Sequence, residues 1–104
     1  MKYKIFLSQE ANKDIDEIFL YISNILTETE TAKKMIRLLE RSILSLEEMP
    51  NRFRIYESEP WRSRGVHIMP VKRYLVFYLV DESNKSINVF RIIYGSRDLD
   101  NVLE

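Results

Sequence analysis

The apolar positions of this chain change period along its length, and each period marks a kind of element. Over Tyr3-Lys4-Ile5-Phe6-Leu7 the residues Tyr3, Ile5 and Leu7 share one parity, which predicts a first strand. From residue 9 to roughly residue 25 the period lengthens, and Ala11, Ile15, Ile18, Phe19, Ile22, Ile25 and Leu26 follow helical spacing. Ser8 is a suitable N-cap for this helix, and Glu10 stands in its first turn, where the helix dipole favours a carboxylate. Thr27 and Glu30 have capping-box spacing and restart a helix after a very short turn. Its stripe is Ala32, Met35, Ile36, Leu39, Ile43 and Leu46, and Pro50 stops it. Helices joined this tightly run antiparallel and pack as a hairpin. Leu20, Leu38 and Leu44 fall off these stripes and add exposed apolar area.

The second half reads as sheet. Residues 50 to 65 carry Pro50, Pro60, Gly65 and mixed charges, the composition of a long surface connection. Val66-His67-Ile68-Met69 predicts a strand that Pro70 ends, because proline cannot donate to a central ladder. Arg73 to Asp81 and Ile87 to Tyr94 are β-rich runs joined by Glu82-Ser83-Asn84-Lys85, a hairpin pattern. The first of these runs is apolar on both parities: Tyr74, Val76, Tyr78 and Val80 against Leu75, Phe77 and Leu79. Such a strand needs both faces covered, and the helical hairpin covers one, so the other is expected to await a partner. The fold class is α+β: a small twisted, antiparallel-dominated sheet in the order β-α-α-β-β-β, with the N-terminal helical hairpin packed on one face.

Composition narrows the function. Nothing divides the 104 residues, so 1–104 is read as a single domain, 45% hydrophobic and 31% charged, as in ordinary soluble proteins. No run of 18 apolar residues occurs and the N-terminus turns polar too soon for a signal peptide, so a cytoplasmic protein with no membrane partner is expected. The absence of cysteine removes thiol chemistry, and with a single histidine it argues against a transition-metal site; no cofactor is expected. Net charge is zero but segregated. Residues 10 to 30 hold six acidic side chains (Glu10, Asp14, Asp16, Glu17, Glu28, Glu30) against Lys13. Residues 62 to 97 hold seven basic ones (Arg62, Arg64, Lys72, Arg73, Lys85, Arg91, Arg97) against Asp81 and Glu82. The basic excess on the sheet could meet nucleic acid or an acidic protein surface, or it could simply solvate that side.

The ordered set of segments resembles the RelE/ParE superfamily of bacterial toxins, the toxic halves of type II toxin–antitoxin modules of the plasmid-stabilisation type. It runs from Ser8-Gln9-Glu10-Ala11 through Pro50-Asn51-Arg52. Its strongest parts are Arg64-Gly65-Val66-His67 to Phe77-Tyr78 and Phe90-Arg91-Ile92-Ile93-Tyr94-Gly95-Ser96-Arg97-Asp98-Leu99. The resemblance implies a cognate antitoxin as partner. It also implies one of two targets: DNA gyrase for ParE-like toxins, or the ribosome with its mRNA for RelE-like endoribonucleases. The ending from Ile93 to Leu99 is more similar to the ParE branch, which implies a gyrase inhibitor that performs no chemistry of its own.

The inventory for RNA cleavage is thin. Attack by a 2′-hydroxyl needs a base, an acid and cations around the developing phosphorane charge. If the chain were a ribonuclease, His67, Arg73, Tyr94 and Arg97 would have to supply them. His67 stands where the ribonucleases use a lysine, Tyr74 where they often place an arginine, and no tyrosine or histidine follows Gly95. For target binding the candidates are Arg64, Arg73, Arg91 and Arg97. Arg91 is alternatively paired with a carboxylate, and Arg97 with Asp98, Asp100 or a helix acid. For antitoxin binding they are Trp61, Tyr74 and Tyr78, of which Trp61 is alternatively a clamp over the core edge, and the tyrosines alternatively pack on each other.

Overall fold

A computed structural model describes residues 2–95. Its order is β1 (Lys4–Leu7), α1 (Gln9–Leu20), α2 (Thr29–Leu44), β2 (His67–Val71), β3 (Tyr74–Asp81) and β4 (Ser86–Tyr94). A π-helical turn at Tyr21–Ile25 extends α1, and 3₁₀ turns at Ser45–Glu47 and Pro50–Arg52 follow α2. The strands lie in the order β1-β4-β3-β2; β1 runs parallel to β4 and the other pairs are antiparallel. This is the expected α+β arrangement with the helical hairpin on one face.

Ser8 caps α1 as the sequence predicts: its hydroxyl accepts the Ala11 amide at 3.0 Å and itself donates to the Phe90 carbonyl at 3.0 Å, which ties the helix start to β4. The second cap differs. Glu28 is the N-cap of α2 and makes no side-chain cap bond. Thr27 instead takes a left-handed backbone (φ 52) and ends the preceding turn, where Glu28 N donates to Ile22 O at 3.1 Å. One residue cannot serve both helix ends, and closing the first claimed Thr27. Pro70 also lies inside β2 rather than after it. It is tolerated because β2 is an edge strand, bonded to β3 on one side only.

The core has two halves, one on each face of the sheet. Ala11, Ile18, Leu39 and Leu46 pack from the helices onto Val76, Tyr78, Ile87 and Val89. Leu38, read as off-stripe, packs partly against this core, whereas Leu20 and Leu44 are exposed. On the other face Trp61 and Val66 close over Ile68, Phe77 and Ile93, with Tyr56 edge-on to Phe77. The second face of β3 is therefore not waiting for a partner, as the apolar pattern suggested. The 50–65 connection folds back and covers it. Phe77 is wholly buried there, and truncating it to alanine would cost about 3–5 kcal/mol.

A register slip between Phe77 and Tyr78 puts Phe77 opposite Arg91 but Tyr78 opposite Val89, so Phe90 is the extra residue of a bulge. Side chains beyond it exchange faces: Ile87 and Val89 point to the helices, but so does Ile92, while Ile93 joins the other half of the core. Strict alternation would put Ile93 on the face of Ile87 and Val89, and the bulge breaks that alternation.

Candidate functional site

A broad concavity follows from how the sheet ends. Lys72 and Arg73 form the tight turn between β2 and β3, with Lys72 at φ 55. Gly95 locks this turn to the end of β4, its amide donating to the Arg73 carbonyl at 2.8 Å. A Cβ at Gly95 would stand 3.3 Å from that oxygen, so the close approach favours glycine. Tyr74 and Tyr94 are register partners here, their rings edge-to-face at 5.7 Å between centroids. Opposite them lies the end of the helical hairpin, with Ile18, Tyr21, Ile22, Leu26 and Met35. Between the two is a groove of about 710 Å³.

Charge divides across this groove. Asp14, Glu17 and Glu28 stand on the helical wall, and Lys72 and Arg73 on the turn. The acidic and basic halves of the sequence thus face each other across an aromatic floor. Lys72 and Arg73 make no ion pair among the described residues. Burial raises the pKa of the Tyr74 phenol, with the neighbouring Tyr94 and Tyr21 adding to it. At neutral pH Tyr74 can donate a hydrogen bond but does not act as a base. The groove suits docking of a mixed-charge amphipathic segment better than proton transfer.

The structure brings together Arg73, Tyr74 and Tyr94 and separates the other candidates. Arg91 is committed to Asp14: Nε donates to Oδ2 at 2.8 Å and Nη2 to Oδ1 at 3.1 Å. The Ile92 amide donates to the same Oδ2 at 2.8 Å, and Asp14 is buried. The bond to this carboxylate raises the Arg91 pKa. Of the two readings of Arg91, the carboxylate pair is the one present.

His67 pairs with Tyr78, whereas Tyr74 pairs with Tyr94. The four-residue step along β3 from Tyr74 to Tyr78 separates His67 from the groove tyrosines by about 13 Å. The His67 ring stacks on Tyr78 at 5.0 Å, and its Nδ1 lies 2.8 Å from the Phe53 carbonyl, which can only accept, so Nδ1 carries the proton. Tyr78 is fully buried, donates to the Pro50 carbonyl at 2.6 Å, and has its phenol pushed up to about 12 by burial. It offers no surface to a partner, because its ring and hydroxyl are both spent in the core. Trp61 is likewise buried as a clamp, with the Arg64 guanidinium 5.3 Å above its ring. Arg97 lies outside the described residues.

Among the groove residues, Tyr21 has no local sequence signal of its own, and Glu17, Glu28 and Lys72 stand out in the sequence only as members of the acidic and basic runs. Ile25 and Leu26 follow the helical spacing of the stripe, yet both are exposed, Ile25 by 68%. A signal was there, since residues 18 to 27 carry no charge at all. Among the described residues no group of histidine, cysteine, aspartate or glutamate could hold a metal ion. No helix among them is long and apolar enough to cross a membrane.

A family model described as the ParE toxin of the type II toxin–antitoxin system parDE matches residues 5–99. Among solved structures, the chain is similar to one from a chromosomal ParDE system of P. aeruginosa, at 21% identity and TM-score 0.72, covering 89% of this chain and 96% of that one. It is also similar to a chain of the RelBE2 toxin–antitoxin complex from Mycobacterium tuberculosis (14% identity, TM-score 0.64, 90% and 99% covered). A third likeness is to a chain of the archaeal RelE–RelB complex from Pyrococcus horikoshii OT3 (17% identity, TM-score 0.65, 93% and 99% covered). At these identities the likeness shows the fold. No curated protein sequence matches the chain.

Proposed function

This chain belongs to the ParE toxin family of type II toxin–antitoxin systems, and from that premise we propose that it arrests growth by binding and inhibiting DNA gyrase in the cytoplasm. In this reading a cognate antitoxin neutralises it through the groove between the helical hairpin and the Tyr74–Tyr94 pair. The solved relatives include toxin–antitoxin complexes, which supports an antitoxin as partner. A segment that is disordered when free could lay apolar anchors on the aromatic floor, with its own charges matching the two walls.

The observation that favours gyrase over the ribosome is the position of His67. A ribonuclease needs its acid and base on the same phosphate. Here the histidine is stacked in the core about 13 Å along β3 from the tyrosines of the groove. Arg73, exposed beside Tyr94, supports a binding role that rests on charge and shape.

The test runs purified toxin in two assays. A supercoiling assay with gyrase should show inhibition or trapped cleaved DNA. Primer extension on translating ribosomes should show no A-site cuts. Codon-positioned cuts with normal supercoiling would replace this reading with the ribonuclease one.

A further inference from the structure

The two edges of the sheet are not equally protected. At β2 the connecting segment covers the start of the strand: Ile68 N donates to Arg54 O at 3.0 Å, Tyr56 N to Val66 O at 2.7 Å, and Ile55 bridges His67. Pro70 removes a donor further along the same strand. Among the described residues the β1 edge is covered only at its start. Lys4 N bonds Lys85 O and Ser8 N bonds Val89 O, both at 2.9 Å, so the even-numbered residues of β1 are the ones turned to β4. Alternation along a strand turns the N–H and C=O groups of Ile5 and Leu7 the other way. Tyr3 N, on that same outer side, is taken by Glu47 O at 2.9 Å. The outer groups of Ile5 and Leu7 have no such backbone partner among the described residues. Beside this edge Phe6 is 53% exposed, on the part of the non-helical sheet face that the 50–65 connection leaves open, next to exposed Asn88.

We propose that β1 is a dimerisation edge: a second copy of this chain pairs with it antiparallel, residue 5 opposite residue 7, joining the two sheets into one. The register follows from the free groups. Only with Ile5 facing Leu7 do both outward residues exchange N–H···O bonds while Tyr3 keeps its bond to Glu47. Shifting by one step in the direction that puts Leu7 opposite Tyr3 would need the amide already in use. In the 5–7 register, Phe6 falls on the two-fold axis and meets Phe6 of the other copy on the open face. Ile5 and Leu7 meet on the helix side, where each already leans on its own core. Lys4 then faces Ser8 of the other copy, so no like charges oppose. The surface is self-complementary in backbone and apolar contact and opposes no like charges, and a second copy meets all of these at once. This assembly is independent of the gyrase and antitoxin reading.

The chain has no cysteine, so single substitutions report the geometry cleanly. Phe6 sits at a non-hydrogen-bonded position of the proposed pair, with Cα atoms about 4.5 Å apart, within reach of a disulfide. Sedimentation of the purified full chain should show twice the monomer mass, dissociating on dilution. Phe6→Glu should lose the dimer while keeping its circular dichroism and thermal midpoint. Under mild oxidation Phe6→Cys should cross-link into dimers far faster than Asn88→Cys, its exposed neighbour on β4. A wild-type chain that stays monomeric at its highest soluble concentration, or equal cross-linking of the two variants, overturns the proposal. If the Ile5 and Leu7 amides become protected from hydrogen exchange only in a complex with the antitoxin, the edge belongs to that partner and the second-copy pairing is wrong.

Discussion

Replacing Asp14 with alanine should destabilise the fold by about 3 kcal/mol, because this carboxylate ends three donors at once. It accepts Arg91 Nε at 2.8 Å, Arg91 Nη2 at 3.1 Å and the Ile92 amide at 2.8 Å. The buried amide, left unpaired, loses roughly 1–3 kcal/mol. Each charge-assisted bond is worth roughly 1.5–3 kcal/mol net, but the Arg91 side chain is 25% exposed and recovers part of that from water. The full range for breaking a buried pair, about 3–5 kcal/mol, is therefore approached from its lower end. Urea unfolding followed by circular dichroism reads the change directly, and a loss of this size lowers the thermal midpoint by roughly 12–24 °C in a domain of this length. Arg91→Ala should cost less, since Asp14 keeps the Ile92 amide, and the double variant should reveal a coupling of about 1.5–3 kcal/mol. A cost below about 1 kcal/mol for Asp14→Ala would refute this account of the pair. So would loss of toxicity in Arg91→Ala at unchanged stability, which would return Arg91 to the target surface.

Thr27→Gly should stabilise the chain by about 0.5–1 kcal/mol, because a β-branched residue now occupies a left-handed conformation at φ 52; equilibrium denaturation checks it. Tyr78→Phe should cost about 1–2 kcal/mol through the lost bond to Pro50 O. The Tyr78 phenol titrates near ~10 unfolded but at about 12 in the fold, so between these values the unfolded chain binds fewer protons and stability falls as pH rises. The same substitution should flatten that alkaline limb in a pH series of unfolding curves. Arg73→Ala should leave stability within about 0.5 kcal/mol, since no ion pair of this side chain exists among the described residues. It should weaken target binding roughly tenfold, read as relief of growth arrest. His67→Gln should keep toxicity, because the histidine serves the core beside Tyr78 rather than the groove.

The contrast between what was readable and what was not runs through particular residues. Ser8, the 3.6-residue stripes and the β-rich runs with their turns are local signals. Each depends on neighbours within a few positions, so they predicted the element order and the helical hairpin directly. The family resemblance added the toxin class through ordered segments spread over the chain, and the match over residues 5–99 agrees with it.

Which surface each side chain meets depends on contacts between distant segments, and there local pattern failed. The two-faced apolar strand β3 is real, but whether its second face met a partner or the chain's own Trp61 was decided by the path of a loop with no periodicity. The bulge at Phe90 sends Ile93 to the face opposite Ile87 and Val89, against strict alternation, because one extra residue turns every later side chain over. Arg91 and Asp14 stand 77 residues apart, and no spacing rule links them. The acidic and basic halves were visible as composition. Their meeting across the Tyr74–Tyr94 groove was not, because it follows from the antiparallel return of β4 beside β3 and the packing of α1 over β4. The sequence alone therefore determined the elements and the cap of α1, both set by short-range chemistry, and through its resemblance to known toxins it pointed to the family. Tertiary structure decided which residues were withdrawn into the core and which were left in the groove, because burial and pairing follow from distances in space that the chain's order does not encode locally.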